Sequence, residues 1–342
     1  MRTAIILGAN LVVATVALVW VFWRLGGPAL ALLAAAPSVP LLAAFVGTVA
    51  AAVTSLAWRW RVVLGGLGTA PGLAVLTAYR LAGQSLSTLI PSGKLGGEPL
   101  RVWLLRDRAV PLGAAIASVV VDRTLEMGAA IAFACLFAAI LVQHGIPALQ
   151  GLLVTMLLGA VGLAVGVIAT VRRLRRGAGL VTAVVRRIGL DRFGIVQGQV
   201  GTMAAAETDT VRLIDQPRRI GRAFAVGIVA NLLVLLEYWL LLSAFELPST
   251  PIAVVAAIFA TGAAHSMPVP AGIGVLEGGQ MWLFGLLGYP SEVGLAVALA
   301  VRMRELLWVV PGLIFLALRA LGRVSAATTA DRAGEEARVE RA

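Results

Sequence analysis

Leu89-Ile90-Pro91-Ser92-Gly93-Lys94-Leu95-Gly96-Gly97-Glu98-Pro99-Leu100-Arg101 interrupts an apolar segment with proline, glycine, two cations and an acid, and Lys94 is the only lysine in the 342-residue chain. Thr88 stands where a nucleotide P-loop needs glycine, so this is not such a loop. Around the break, the chain is 60% hydrophobic and 13% charged, with a mean hydropathy of +0.95. A soluble protein carries about 25% charge. The deficit here lies in several apolar runs of about 20 residues, long enough to cross a hydrocarbon core of ~30 Å. The composition predicts an all-α polytopic membrane protein and excludes an ordinary cytosolic enzyme.

Full-length spans are expected at about Ala4 to Trp23, Leu41 to Trp58, Leu112 to Val142, Ala148 to Val171, Ala223 to Phe245 and Glu292 to Leu318. The first is longer than a signal-peptide core and reads as an anchor, with cleavage near Ala34-Ala35-Ala36 as the alternative. Two further apolar segments, Gly72 to Ile90 and Ile252 to Leu287, are broken by Pro, Gly, Ser and charged residues. The reading is therefore about six full transmembrane helices plus two re-entrant or broken-helix hairpins in a single transmembrane domain over 1–322.

Arginine placement sets the direction. The net charge is +11, and 27 of the 28 basic residues are arginines between apolar runs. This is positive-inside bias and not a nucleic-acid surface. Trp58-Arg59-Trp60-Arg61 reads as the cytoplasmic end of the second span. The cytoplasmic connection 172–222 holds eleven arginines. Two confident spans separate these points, so the segment at Gly72 must cross an even number of times. The inferred outer connections hold no basic residue except Arg24. Both termini are expected in the cytoplasm, in the plasma membrane. Sparse apolar positions at Val196, Val200, Met203, Val211 and Ile214 suggest surface helices resting on anionic headgroups. Residues 323–342 read as a disordered cytoplasmic tail.

The break recurs. At an offset of 179, Pro91, Gly93, Glu98, Trp103, Arg123 and Glu126 meet Pro270, Gly272, Glu277, Trp282, Arg302 and Glu305, and eleven of 44 positions from Gly83 are identical. Composition alone gives about four. The repeat copies span approximately 40–142 and 220–320. Their parity makes them run in opposite directions, as in the inverted repeats with which transporters build a midplane site.

Chemistry concentrates where the copies match. The first loop offers backbone N–H groups together with Lys94 and Arg101, which suit a phosphate. The second resembles a dinucleotide fingerprint only superficially, because Glu277 replaces the third glycine and no βαβ unit surrounds it. Glu277 has no basic neighbour in sequence, so at membrane depth it needs a cation or a proton. Arg123 with Glu126, and Arg302 with Glu305, share helix faces three residues apart. Asp122 joins the first pair and Arg304 the second. Asn231 and Glu237 are weaker candidates. Cys135 is alone, so no intrachain disulfide forms. His144 and His265 lie outside any ligand cluster, so no metal and no cofactor is expected.

These motifs together resemble the lysylphosphatidylglycerol synthase transmembrane, or flippase-like, family, over about Ile5 to Leu321. The commonest family form of the first loop is matched at Gly96, Gly97, Glu98 and Arg101, and the glycine–acid motif at Gly272, Gly274 and Glu277. The resemblance implies movement of a lipid headgroup across the bilayer. Bifunctional relatives carry a soluble aminoacyl-transfer domain, and this chain stops about 20 residues after its last span, so it is expected to act as a stand-alone module that does not synthesise lysyl-lipid.

The leading expectation is a lipid transporter and not an enzyme. Lys94, Arg101, Arg123 and Arg302 would bind an anionic group beside Gly93, Gly96, Gly97, Gly272 and Gly274. Glu98, Asp122, Glu126, Glu277 and Glu305 would support the arginines and couple release to protonation. The lipid is open among an anionic phospholipid, a polyprenyl-phosphate sugar, a glycolipid and a hopanoid. A homo-oligomer or a neighbouring lipid-modifying enzyme is open as a protein partner. The alternatives are an intramembrane transferase using Asp122 and Glu126, and a non-catalytic partner of a lipid-modifying enzyme.

Overall fold

Proline punctuates the helices. Pro40, Pro99, Pro217 and Pro251 stand in the first turn of four of them, and Pro111 immediately precedes a fifth. Its fixed φ suits a helix start, and its missing N–H is one that has no helical acceptor there. A computed structural model describes Trp23, 26–34, 37–90, 96–176, Gly179, 194–267 and 269–339. The expected span at Ala4 to Trp23, the loop residues Gly93 and Lys94, and much of the arginine-rich connection lie outside the described residues.

After a short helical stretch at 26–34 come α1 (Val39–Gly65), α2 (Leu73–Leu89), α3 (Glu98–Leu105), α4 (Leu112–Gln143), α5 (Gln150–Arg175), α6 (Gly194–Ile214), α7 (Pro217–Ala244), α8 (Pro251–Ser266), α9 (Val275–Leu286) and α10 (Ser291–Val339). There is no strand among the described residues. Among the described residues, five helical segments are long and apolar enough to span: Val39–Gly65, Leu112–Gln143, Pro147–Arg175, Pro217–Ala244 and Ser291–Gly322. The protein is a multi-pass, all-α membrane protein. Segment α5 buries none of its residues, as suits a helix whose surface is apolar all round and can face lipid.

Two sets of four helices follow the same order of long, short, short and long. The ends Gly65 and Ala244, and the starts Leu112 and Ser291, lie 179 apart. Helix α1 packs along α7, while α2 of the first set lies on α10 of the second and α8 of the second on α4 of the first.

Helix α6 packs on α4 and buries Leu213 with Val63, Ala117, Val121 and Ala223. Two expectations need amendment. The hairpin sought within Gly72 to Ile90 is instead formed by α2, one uninterrupted helix, and α3, which returns along it and places Gly97 and Arg101 against Gly83. Helix α10 runs to Val339 through the stretch read as a tail, which is rich in alanine, the strongest helix former.

The contact of α2 with α10 runs beside a proline. Pro311 lies inside α10 and cannot donate to the preceding turn. The Ser85 hydroxyl of α2 reaches that turn, 3.0 Å from the Val309 carbonyl and 3.2 Å from that of Trp308. Ser85→Ala is expected to lower stability by about 1 kcal/mol, the net worth of one buried hydrogen bond. Thermal unfolding of detergent-purified protein checks this.

Candidate functional site

Asp122 and Glu126 stand one turn apart on α4, and three other helices bring guanidinium groups to them. Asp122 is fully buried; it accepts from Arg59 of α1 at 2.7 Å, Arg80 of α2 at 3.0 Å and Arg101 of α3 at 2.7 Å. Glu126 accepts from Arg59 at 2.7 Å, from Arg80, and from Arg123 of its own helix at 2.8 Å. Arg123 also lies 3.4 Å from Glu98 at the start of α3. Four guanidinium groups thus meet three carboxylates, leaving one positive charge in excess. Desolvating such charges is tolerable only because every carboxylate oxygen of Asp122 and Glu126 is matched. Arg101 further stacks 4.0 Å from the Trp60 ring.

The second set builds a smaller cluster. Arg302 of α10 binds Glu277 of α9 at 2.9 Å and Glu305 of its own helix at 2.9 Å, and it donates to the carbonyls of Ala271 and Gly272 in the loop between α8 and α9. That loop is left-handed at Gly272 (φ 61°) and Gly274 (φ 81°), where glycine is unstrained. It aims the Gly274 N–H at the Glu277 carboxylate, 2.8 Å away. Arg304 pairs with Glu237 of α7 and stacks on Tyr238 and Trp308. His265 of α8 lies 2.6 Å from Glu305. The trio Glu98–Arg123–Glu126 has the same partners and sequence spacing as Glu277–Arg302–Glu305.

Between the clusters lies a cavity of about 260 Å³. One wall carries Arg59, Arg80, Gln84, Thr88 and Glu126; the facing wall carries Asn231, Glu237, Thr261, His265 and Arg304. The remainder is apolar, from Val49, Val53, Val234 and Ile258 among others. The site is thus a largely apolar chamber with charged and polar side chains on two facing walls, formed where the two sets of helices meet.

The residues singled out from sequence are distributed unevenly around it. Glu126 lines the chamber itself. Asp122 and Arg101 form the layer behind its arginines. Glu98, Gly97, Arg101, Arg123 and Glu126 line a smaller polar notch that Arg80 and Gln84 share with the chamber. Gly96 leads into α3. Arg302, Glu277, Gly272 and Gly274 hold the second loop together, and Glu305 joins them to His265.

The sequence reading misplaced Arg59. Expected at the cytoplasmic interface with Trp58 and Trp60, it is 1% exposed, because Asp122 and Glu126 replace its water and α1 continues past it to Gly65. Arg80 and His265 were not singled out as site residues. A charge count held the signal for Arg80, since two carboxylates in one span beside a single local arginine require cations from elsewhere, and held none for His265. Cross-pairing between the two α4 and α10 clusters does not occur among the described residues; each is satisfied within its own set of helices. Asp107 and Arg319, away from the chamber, do join the two sets. No group of three or more His, Cys, Asp or Glu side chains arranged to hold a metal occurs among the described residues.

A profile of the family described as lysylphosphatidylglycerol synthase TM region matches residues 6–312. Comparison with curated proteins and with solved structures gave no match.

Proposed function

The chain belongs to the family of lysylphosphatidylglycerol synthase transmembrane regions, and from that premise we propose that it moves an anionic or glycosylated lipid headgroup across the bilayer through the chamber between its two sets of helices. The observation that carries this reading is the chamber itself: a largely apolar space between the helices into which Arg59 and Arg80 bring charge from a cluster holding one positive charge in excess. Its volume of about 260 Å³ is just below the ~300 to 1,000 Å³ of small-molecule sites. That suits a headgroup while the acyl chains stay in lipid.

The paired helix order supports an inverted repeat. With Arg61 and the connection 172–222 toward the cytoplasm, α1 runs inward and α7 outward. The α2–α3 and α8–α9 hairpins then enter from opposite faces, as rocking of one repeat against the other requires. The two Glu–Arg–Glu trios tie α3 to α4 and α9 to α10, so each set can move as a body. Membership in the family supports a lipid-handling role, and the positive excess supports an anionic headgroup.

Gly262 provides a test that leaves the ion pairs alone. It lines the chamber on α8, and a side chain added there meets nothing within 4 Å. Gly262→Leu replaces glycine inside a helix, a change worth up to about 1 kcal/mol in its favour, so the variant is expected to melt at or above the wild-type temperature. Translocation of a fluorescent anionic phospholipid in reconstituted vesicles is expected to fall at least tenfold (about 1.4 kcal/mol). Unchanged translocation would remove the chamber from the lipid's path.

A further inference from the structure

At the chamber wall, His265 brings its two ring nitrogens against two oxygen atoms. Its Nδ1 lies 2.8 Å from the Thr261 carbonyl, one turn back on α8. A carbonyl oxygen only accepts, so Nδ1 carries a hydrogen. Its Nε2 lies 2.6 Å from Glu305 Oε1. The contact is too far off line for a hydrogen bond, but at that distance two unprotonated atoms repel, so a proton on one of the two groups is what makes it attractive. Glu305 also accepts from Arg302 at 2.9 Å on its other oxygen, which favours the carboxylate. The proton therefore belongs to the ring.

We propose that His265 and Glu305 form a proton-binding site on the chamber wall, occupied in this conformation, with His265 as the imidazolium. The surroundings leave this pair as the switchable one. On α10, Arg302 is shared between Glu305 and Glu277 of α9, and Arg304 is held by Glu237 of α7 beside Tyr238. Across the chamber, Glu126 of α4 lies between Arg59 of α1 and Arg80 of α2. These partners are arginines, which stay charged; histidine changes charge near physiological pH. The two sets of helices differ at this point. Leu86 stands 179 residues before His265, and the equivalent of Glu305, Glu126, takes permanent cations. Proton loss would turn the Nε2 lone pair toward Glu305 and loosen α8 from α10 at the edge of the chamber. The ring lines the chamber, which gives the proton a route to water. This inference stands on the geometry of the pair and not on the lipid reading.

The chain has only two histidines, so ¹⁵N-histidine labelling with His144→Gln isolates the ring of His265. In lipid nanodiscs at pH 7, both ring nitrogens are expected to show protonated chemical shifts. In Glu305→Gln, Nε2 is expected to move to the unprotonated shift while Nδ1 stays protonated. Raising the pH on the otherwise wild-type protein is expected to produce the same Nε2 change reversibly. A neutral His265 ring at pH 7 without the Glu305 substitution would overturn the proposal, whether or not Glu305→Gln folds. No lipid movement is measured, so failure here is separate from failure of the translocation assay.

Discussion

Asp122→Ala is expected to lower stability by about 3–5 kcal/mol, the range for removing one partner of a buried ion pair. Asp122 is fully buried and takes hydrogen bonds from three arginines carried by three different helices. Its loss leaves Arg59 and Arg80 competing for Glu126 alone, and leaves Arg101 with the Trp60 ring in place of a carboxylate. The positive excess of the cluster doubles from one charge to two in a site from which water is largely removed. Thermal unfolding in detergent measures the loss directly. Asp122→Asn keeps the shape and one acceptor oxygen and is expected to fall between wild type and Asp122→Ala. Adding Arg101→Met to Asp122→Ala removes one of the surplus charges and is expected to restore part of the stability; no recovery would show that the loss is packing and not charge.

Gly97→Val is expected to be comparably damaging for a different reason. Gly97 has φ −94° and ψ −12°, a conformation open to any residue, so backbone strain does not demand glycine there. Space does. A β-carbon at Gly97 overlaps the backbone of Gly83 on α2 and comes within 2.7 Å of the Ser87 hydroxyl, which accepts from the Gly97 N–H at 2.8 Å. The obstacle is mostly main chain, which cannot rotate away as a side chain can. Overpacking costs about 1–3 kcal/mol where side chains give way, and more is expected here. The α2–α3 hairpin would open and carry Arg101 away from Asp122. A cysteine pair at solvent-accessible positions of the hairpin, or a limited-proteolysis pattern around 90–97, would report that opening. Gly97→Ala is expected to show a milder form of the same defect. Wild-type stability for Gly97→Val would mean that α3 does not lie on α2 as described.

Much of the architecture was legible before any coordinates. The spans from Leu112, Ala148, Ala223 and Glu292 begin within a few residues of α4, Pro147–Arg175, α7 and α10, because hydrocarbon selects for an unbroken run of apolar residues and a run is a local property. The pairs Arg123–Glu126 and Arg302–Glu305 were also legible, since three residues on a helix fix which side chains are neighbours. Where the boundary depended on a distant partner, the reading failed. The second span was ended at Trp58 because tryptophan and arginine ordinarily mark an interface, whereas α1 continues to Gly65 with Arg59 held inside.

The chain by itself determined that it crosses a membrane many times, that its charge excess is mostly an arginine bias between spans, and that a glycine–proline break recurs with its acidic and basic companions 179 residues later. Only the tertiary structure decided which charges are functional candidates. Apart from Arg123, the cations that meet Asp122 and Glu126 come from 21 to 67 residues away, and so does the carboxylate that holds Arg304. Spacing along a chain constrains neighbours within a few turns of helix; it does not say which helix will lie against which. The same approach of α1, α2, α7, α8 and α10 that brings those partners together also leaves the chamber between them, so its lining could be read only after the helices were packed.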